Sequence, residues 1–294
     1  MANLKEVRNR IQSVNSTQQI TKAMKMVAAA KLRRSQDAIT QMRPYSQRLS
    51  LMLQNISASI DDNVENLYAV ERTVNKVLVV VVTSDRGLAG AFNANIVKAA
   101  NNLITAKYAA QAQAGNVHLL TVGKKGLDFF GRRNYTVHRE FTGIFTALSF
   151  GAARKAAEFA MNAFVEGDYD KVEIIYNEFK NVATQIIRTE QFLPILPAPA
   201  SAKKQTKTDY IYEPSKEEIF RELVPKSLKI QFYKTLLESN ASENGARMMA
   251  MDKATENAKE LIKELRLVYN RTRQAAITKE ILEIVGGAEA LSQK

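Results

Sequence analysis

The sequence has no cysteine among its 294 residues and only two histidines, His118 and His138. Without cysteine, disulfide bonds, thiolate nucleophiles and cysteine-ligated metal sites are excluded. Each histidine lies in a short β-like run, where a structural role on a half-buried strand is the favoured interpretation. No run of about 20 apolar residues is present, so no transmembrane helix is expected. The first ten residues carry no apolar signal core, which predicts a protein that works in the compartment where it is made.

Glycine and proline, which commonly end helices, are scarce at both ends of the chain. No glycine occurs before Gly87, and Pro44 is the only proline before Pro194. No proline follows Pro225, and Gly245 is the only glycine between there and residue 286. This distribution predicts one very long helix at each end of the chain. At about 1.5 Å per residue, either helix could extend roughly 80 Å.

The first segment, residues 1–58, shows the alternating three- and four-residue spacing of a coiled-coil seam. The spacing connects Leu4, Val7, Ile11 and Val14, then Ile20, Met24 and Val27 in a shifted phase, then Met42, Tyr45, Leu49, Met52 and Ile56. The change of phase predicts stutters in the supercoil. Two interruptions are considered as alternatives to a continuous helix: a restart at NSTQQ, which resembles a capping box, and a bend at Pro44.

The last segment, residues 215–294, carries clearer helix signals. Ser215, followed by Glu218 three residues later, forms a capping-box pattern. Pro225 then suits the first turn of a second, longer helix. One heptad phase is kept by Leu237, Ala241, Asn244, Met248, Met251, Thr255, Ala258, Ile262, Leu265, Tyr269, Thr272 and Ala276. A seam of this length predicts a coiled coil, and its many small or polar residues let a partner helix approach closely.

The middle segment, residues 59–214, alternates between two kinds of run. The strand-like runs are NKVLVVVVTS, NVHLLTVG, YTVHREF, KVEIIYNEF and ATQIIRTEQFL, and the helix-like runs include NANIVKAANNLITAKYAA, KKGLDFFGRR and SFGAARKAAEFAMNAFVEG. The alternation predicts an α/β fold with a mostly parallel sheet. The stretch LPAPASAKKQTKTD predicts an extended connector. The expected architecture is an antiparallel coiled coil of the N- and C-terminal helices, with a Rossmann-like, mostly parallel α/β domain between them.

Most of the excess positive charge lies near the start of the chain. Residues 1–58 carry +8 of the net +12. A basic segment of this kind favours an anionic partner, which could be nucleic acid, lipid headgroups or an acidic protein surface. A basic coiled coil that binds nucleic acid is therefore one candidate. Against it, interleaved aromatic residues for base stacking are lacking and no recognition motif is present.

The stretch LVVVVTSDRGLAGAFN, residues 78–93, has the outline of a nucleotide site because two glycines follow a β-branched run. A dinucleotide fingerprint needs three glycines as GxGxxG, whereas only Gly87 and Gly90 occur here, and no GxxxxGK[ST] string exists in the chain. A tight strand-to-helix turn is the favoured interpretation, with Asp85 and Arg86 as a candidate exposed ion pair. A Rossmann-type enzyme with helical arms is thus disfavoured. No cofactor, metal ligand set or catalytic residue is predicted.

Five segments in fixed order nevertheless resemble a known family. They are IQSVNSTQQITKAMKMVAAAKLRRSQ, SDRGLAGAFN, DYIYEP, SENGARMMAMDKATENA and NRTRQAAITKEILEIVGGAEAL. Together they resemble the gamma subunit of F-type ATP synthase over essentially the whole chain. The resemblance implies a rotor that couples ion-driven rotation of a membrane c ring to ATP synthesis or hydrolysis in a head of three alpha and three beta subunits. It further implies a foot shared with the epsilon subunit, no catalytic site of its own, and a peripheral position on the cytoplasmic face of a bacterial inner membrane.

The resemblance also implies roles for individual residues. It implies rotor–stator contacts at Lys22, Met24, Lys25, Arg273 and Gln274, an axle bearing at Ile281, Leu282, Ile284 and Val285, a foot contact with the c ring at Tyr210 and Glu213, and a marker turn at Ser84, Asp85, Arg86 and Gly87. Two plainer alternatives stay open. Met24 could be a seam residue, and Arg273 with Gln274 could be an exposed helix face.

Overall fold

A computed structural model describes residues 4–57, 66–195, 213 and 215–292. In chain order its elements are α1 (Leu4–Ser57), β1 (Val77–Val82), α2 (Phe92–Lys107), α3 (Ala109–Gln113), β2 (Val117–Val122), α4 (Lys124–Phe130), β3 (Thr136–His138), a 3-10 turn (Ile144–Thr146), α5 (Phe150–Val165), β4 (Lys171–Phe179), β5 (Gln185–Leu193) and α6 (Lys216–Ser292). The two long terminal helices and the α/β region between them confirm the predicted fold class. The chain divides into two compact units, one of residues 1–28 with 248–294 and one of residues 29–247.

The sheet in the second unit has the strand order β3-β2-β1-β4-β5. The first four strands are parallel, and β5 pairs antiparallel with β4. β1 is buried along its whole length because helices cover both faces of the sheet, which is why its sequence is a run of valines with no alternation. Leu78 packs on the face covered by α5 and by the first part of α6, and Val79 packs on the face covered by α2.

α1 keeps a single heptad phase, so the predicted stutter is wrong. Every heptad position from Leu4 to Ile56 is buried or half-buried: Leu4, Val7, Ile11, Val14, Gln18, Thr21, Lys25, Ala28, Leu32, Ser35, Ile39, Met42, Ser46, Leu49, Leu53 and Ile56. Polar Gln18 and Thr21 therefore lie in the seam. Beside this seam, Met24, Ala29, Gln36 and Ala38 are half-buried too. Ile20 and Val27, which the sequence pattern placed in the seam, are 59% and 58% exposed. The steps of three and four residues run without interruption, as a regular coiled-coil seam requires.

Neither of the two considered interruptions divides α1. The hydroxyl of Ser16 donates to the Gln12 carbonyl one turn earlier, at 3.1 Å, and therefore does not cap a new helix. Pro44 lies inside the helix at an exposed position. Proline removes one backbone hydrogen bond, and a carbonyl left free at an exposed position can bond to water instead.

α6 begins as predicted and keeps its predicted seam for most of its length. The Glu218 amide donates to the Ser215 hydroxyl at 3.2 Å, which confirms the N-cap. Pro225 does not start a second helix, because α6 is one 77-residue helix that contains it. All predicted seam positions from Leu237 to Thr272 are buried or half-buried, whereas Ala276 is exposed.

The end of the seam follows from the antiparallel register in the first unit. The hydroxyls of Thr21 and Thr255 bond at 2.8 Å. Counting outward from this pair, the first described residue of α1, Leu4, is level with about residue 272 of α6. The described part of α1 therefore has no residue to place opposite Ala276, which explains its exposure.

Candidate functional site

The marker turn, residues 84–90, connects β1 to α2 and is closed by its own hydrogen bonds. The Ser84 amide donates to Asn93 Oδ1 at 2.9 Å, and the Ser84 hydroxyl donates to the Arg86 carbonyl at 2.6 Å. Leu88 and Gly90 both have left-handed backbones, with φ of 63° and 57°. Such a φ is ordinary for glycine and uncommon for leucine. The leucine side chain is nevertheless 64% exposed, so the turn holds an apolar residue outward.

Asp85 fixes the marker turn to two other segments. Its Oδ1 accepts the Lys124 amide at the start of α4, at 3.1 Å, and the Gly143 amide, at 3.0 Å. A carboxylate at a helix N-terminus is favoured by the unpaired amides there. The expected ion pair with Arg86 is wrong, because within the described ranges Asp85 bonds to these backbone amides and forms no salt bridge with Arg86.

Arg247 of α6 anchors the marker turn from the other side. One guanidinium nitrogen donates to the carbonyls of Arg86 and Gly87 at 3.2 and 3.3 Å, and lies 2.7 Å from the Glu243 carboxylate. Glu243 is 6% exposed, and its burial raises its pKa although Arg247 opposes the rise. The turn thus presents carbonyls to a cation. A phosphate cradle presents amide hydrogens, so the geometry supports the structural interpretation of the two glycines.

The sequence did not single out Glu243 and Arg247. They stand four residues apart within SENGAR, a stretch quoted only as a family marker. The available signal was an i,i+4 acid–base pair among small residues, which places both side chains on one helix face. The partner carbonyls are 160 or more residues away along the chain. No local pattern can therefore reveal the contact.

The first unit brings one predicted contact residue to an unforeseen partner. Lys25 pairs with Asp252 of α6 at 2.5 Å, and both side chains are about half exposed. Met24 is half-buried beside it, and Lys22 is exposed. Because Lys25 is already paired within the helix pair, Lys22 is the less constrained of these two cations.

The end of α6 carries the other predicted residues of this unit, and all of them are exposed. Arg273 and Gln274 follow the end of the seam directly. The predicted bearing residues Ile281, Leu282, Ile284 and Val285 are 55%, 65%, 71% and 55% exposed. Four apolar side chains this exposed within five residues form an apolar patch on the described part of α6.

The predicted foot contact is only partly within the described residues. Glu213 is exposed, whereas Tyr210 lies outside the described residues. Over the part of the chain that the structure describes, no group of three or more metal-binding side chains occurs. No helix found there has the length and hydropathy to cross a membrane.

These features define a class of protein with two long helices that pair with each other and an α/β domain between them in the sequence. In that domain, Arg247 of α6 holds the turn that follows β1. The ATP synthase family model matches residues 3–291. The chain is 66% identical to the ATP synthase gamma chain of Cytophaga hutchinsonii over 99% of this chain and all of that one. It is 55% identical to the gamma chain of Christiangramia forsetii, with the same coverage.

Two solved structures share the fold. A chain of the Tetrahymena thermophila mitochondrial ATP synthase central stalk and c ring matches with a TM-score of 0.56 and 27% identity, over 80% of this chain and 99% of that one. A chain of the Euglena gracilis mitochondrial enzyme matches with a TM-score of 0.66 and 21% identity, over 98% and 94%. The chain belongs to the ATP synthase gamma-chain family. This confirms the resemblance and the rotor-subunit function it implied, and a nucleic-acid-binding coiled coil is not supported.

Proposed function

We propose that this rotor subunit has no catalytic site of its own and that its paired helices turn inside a ring of three alpha and three beta subunits. The supporting observation is the exposed apolar end of α6, where Ile281 to Val285 continue beyond the seam. In water these side chains are an aggregation hazard. In an apolar sleeve formed by the ring they act as a bearing.

The contacts with the stator lie on two surfaces. Lys22, Met24 and Lys25 on α1 meet acidic side chains of the beta subunits, in keeping with the +8 charge of residues 1–58. Arg273 and Gln274 donate hydrogen bonds to a beta-subunit loop. A single asymmetric shaft touches each of three beta subunits differently, so each subunit has a different preferred conformation.

The outward apolar residues of α1 fit the same role. Ile20 and Val27 are seven residues apart, more than half exposed, and on the side of the helix away from the seam. An isolated two-helix coiled coil gains nothing from apolar residues there. A shaft enclosed by other subunits buries them on assembly.

The α/β region is proposed as the foot. Tyr210 and Glu213 contact the c ring, and the epsilon subunit completes the foot. The chain itself is then a peripheral component on the cytoplasmic face of a bacterial inner membrane, with no cofactor and no small-molecule substrate. The division into segments 1–58, 59–214 and 215–294 belongs to the same proposal.

The direct test is assembly and rotation. The full chain is combined with purified alpha and beta subunits, and a bead is attached through a cysteine introduced at exposed Leu67, which is possible because the chain has none. ATP-driven unidirectional rotation is expected. A complex that forms and hydrolyses ATP with an immobile bead would contradict the proposal. DNA filter binding and nucleotide titration of the isolated chain test the two rival functions, and we expect neither to show binding.

A further inference from the structure

The two histidines of the chain converge on one tyrosine. His118 Nδ1 and His138 Nε2 each lie 2.9 Å from the hydroxyl oxygen of Tyr169. The imidazole ring centroids are 6.2 Å apart. The tyrosine is 5% exposed, and the histidines are half-buried. We call these three residues the His–Tyr–His cluster.

Strand register explains how the cluster forms. β2 and β3 are parallel, with His118 opposite Thr136 and Leu120 opposite His138. Side chains alternate along a strand, so residues two apart share a face and both histidines point to the same side of the sheet. Tyr169 reaches that side from the connection between α5 and β4.

The surroundings of the cluster keep the tyrosine protonated. Burial, followed by the charges of Asp168 and Glu140, raises the pKa of Tyr169 to about 12. Phe159 of α5 packs edge-on against His138, with ring centroids 4.9 Å apart. Lys76, which precedes β1, is the nearby cation that acts on His118.

Counting hydrogens leaves two arrangements in which the Tyr169 hydroxyl hydrogen is bonded within the cluster. If the oxygen accepted from both imidazoles, that hydrogen would have no acceptor among the described contacts of this buried group. The hydroxyl therefore donates to one imidazole nitrogen and accepts from the other. If His118 accepts at Nδ1, then His138 donates from Nε2, and both rings carry their hydrogen on Nε2. In the reverse arrangement both rings carry it on Nδ1. The two arrangements therefore differ in the tautomer of both histidines.

The burial and the charges around His118 favour the arrangement in which His118 accepts the hydrogen of Tyr169. Burial, followed by the charges of Lys76 and His138, lowers the pKa of His118. A histidine that stays neutral suits the accepting role. His138, which donates from Nε2, can take a proton on Nδ1 without losing its bond to Tyr169.

We propose that the His–Tyr–His cluster is a binding site for a single proton, taken by the imidazole that donates to Tyr169, and that a second proton, on the imidazole that accepts from Tyr169, breaks the cluster. With Nδ1 of His118 protonated, the Tyr169 hydrogen loses its acceptor inside a buried site, and two like charges face each other. Both effects oppose the second proton. This inference stands independently of the proposed rotor function.

Breaking the cluster should loosen the edge of the sheet. β3 has three residues and, among the residues that the structure describes, pairs only with β2. Apart from that ladder, the Thr121 hydroxyl holds β3 through the His138 carbonyl at 3.1 Å. An edge strand this short depends on its side-chain contacts, and the cluster supplies one of them.

The test is a histidine titration of the full chain by NMR with 15N-labelled histidine, in chelator-treated buffer from pH 8 to 4.5. Only two imidazoles contribute, and His118→Gln assigns them. We expect both rings as Nε2–H tautomers at pH 8, and midpoints at least about one pH unit apart. The protection factors of the Val137 and His138 amides, which correct each exchange rate for the intrinsic rate at that pH, should fall as the second imidazole protonates.

Tyr169→Phe is the matched variant, because it keeps the packed ring and removes the hydroxyl. The two midpoints should then approach each other. Nδ1–H tautomers, a mixture of tautomers, or coincident midpoints in the unmodified chain would each overturn the proposal. If Tyr169→Phe does not fold, the tautomers and midpoints of the unmodified chain decide the question alone.

Discussion

Replacing Arg247 by methionine should detach the marker turn from α6. Methionine keeps an unbranched, helix-compatible side chain and removes the charge and all five N–H donors. Glu243 would remain 6% exposed with no cation in contact, and Asp85 is a neighbouring negative charge that disfavours its ionised form. The carbonyls of Arg86 and Gly87 would also lose their donor.

The magnitude follows from the burial of the pair. Removing one partner of a buried ion pair costs about 3–5 kcal/mol. The side chains alone are 13% exposed for Arg247 and 8% exposed for Glu243, so water can partly replace the guanidinium and we take the lower figure, about 3 kcal/mol. For a unit of 150–250 residues each kcal/mol lowers Tm by about 2–4 °C, which predicts a loss of about 6–12 °C.

The assay is thermal unfolding of the isolated full chain as a double-mutant cycle of Arg247→Met with Glu243→Gln. The double variant should be less destabilised than the sum of the single variants by about 1.5 kcal/mol or more, because no charge is then left unpaired. Arg266→Met, an exposed arginine on the same helix, is the control and should change stability by less than about 0.5 kcal/mol. Additive effects, or Arg247→Met matching the control, would refute the anchoring role.

The pH dependence of the same variant gives an independent check. The folded-state pKa of Glu243 is raised above its ordinary value of 4.5. A raised carboxyl pKa contributes stability that is fully present below pH 4.5 and is lost as the pH rises through the folded value. The cost of Arg247→Met should therefore be smaller at pH 4.5 than at pH 8. A cost that does not vary with pH would mean that the unpaired Glu243 charge is not its source.

Three further predictions use other parts of the chain. Burial raises the pKa of Glu238, so Glu238→Gln should increase Tm at pH 8 and this gain should vanish below pH 4.5; a gain equal at both pH values would contradict the burial account. Truncation after Ala276 removes a segment whose described side chains, those of residues 277–288, are all exposed, so Tm of the isolated chain should stay within about 2 °C while ATP-coupled rotation of the complex weakens; wild-type coupling would count against the bearing. Arg273→Ala with Gln274→Ala should leave the isolated chain unchanged and lower ATP turnover of the complex; unchanged turnover would leave an exposed face as the explanation.

The architecture was predictable because it depends mainly on where glycine and proline occur and on how apolar residues are spaced. The scarcity of glycine and proline at the chain ends predicts two long helices, and the alternation of strand-like and helix-like runs predicts a mostly parallel sheet. The antiparallel edge strand β5 was foreseen as a strand but without its direction. That direction was available in the sequence, because the five residues between Phe179 and Gln185 are too few for the crossover that a parallel pair needs.

The phase of α1 was predicted wrongly for a physical reason. Pattern analysis takes apolar residues as buried, so the seam follows Ile20 and Val27 in a shifted phase, although polar Gln18 and Thr21 stand where the first phase requires seam residues. The structure keeps the first phase, and the hydroxyl of Thr21 bonds to that of Thr255 across the helix pair. A buried hydroxyl with a hydrogen-bond partner costs little, so a polar residue does not by itself end a seam.

The marker turn shows a different limit of sequence patterns. SDRGLAG and SENGAR belong to two separate family segments, and neither segment alone reveals what its residues contact. The structure joins them: Glu243 orients Arg247, and Arg247 holds the backbone of Arg86 and Gly87. Because the bonded atoms of the turn are carbonyls, its side chains are not what Arg247 recognises. The turn must keep its backbone shape, through Ser84 and a φ of 57° at Gly90, for the arginine to reach it. The carbonyls of this stretch therefore bind a cation supplied by α6, and the resemblance to a nucleotide loop comes from a shared need for a tight turn after a buried strand.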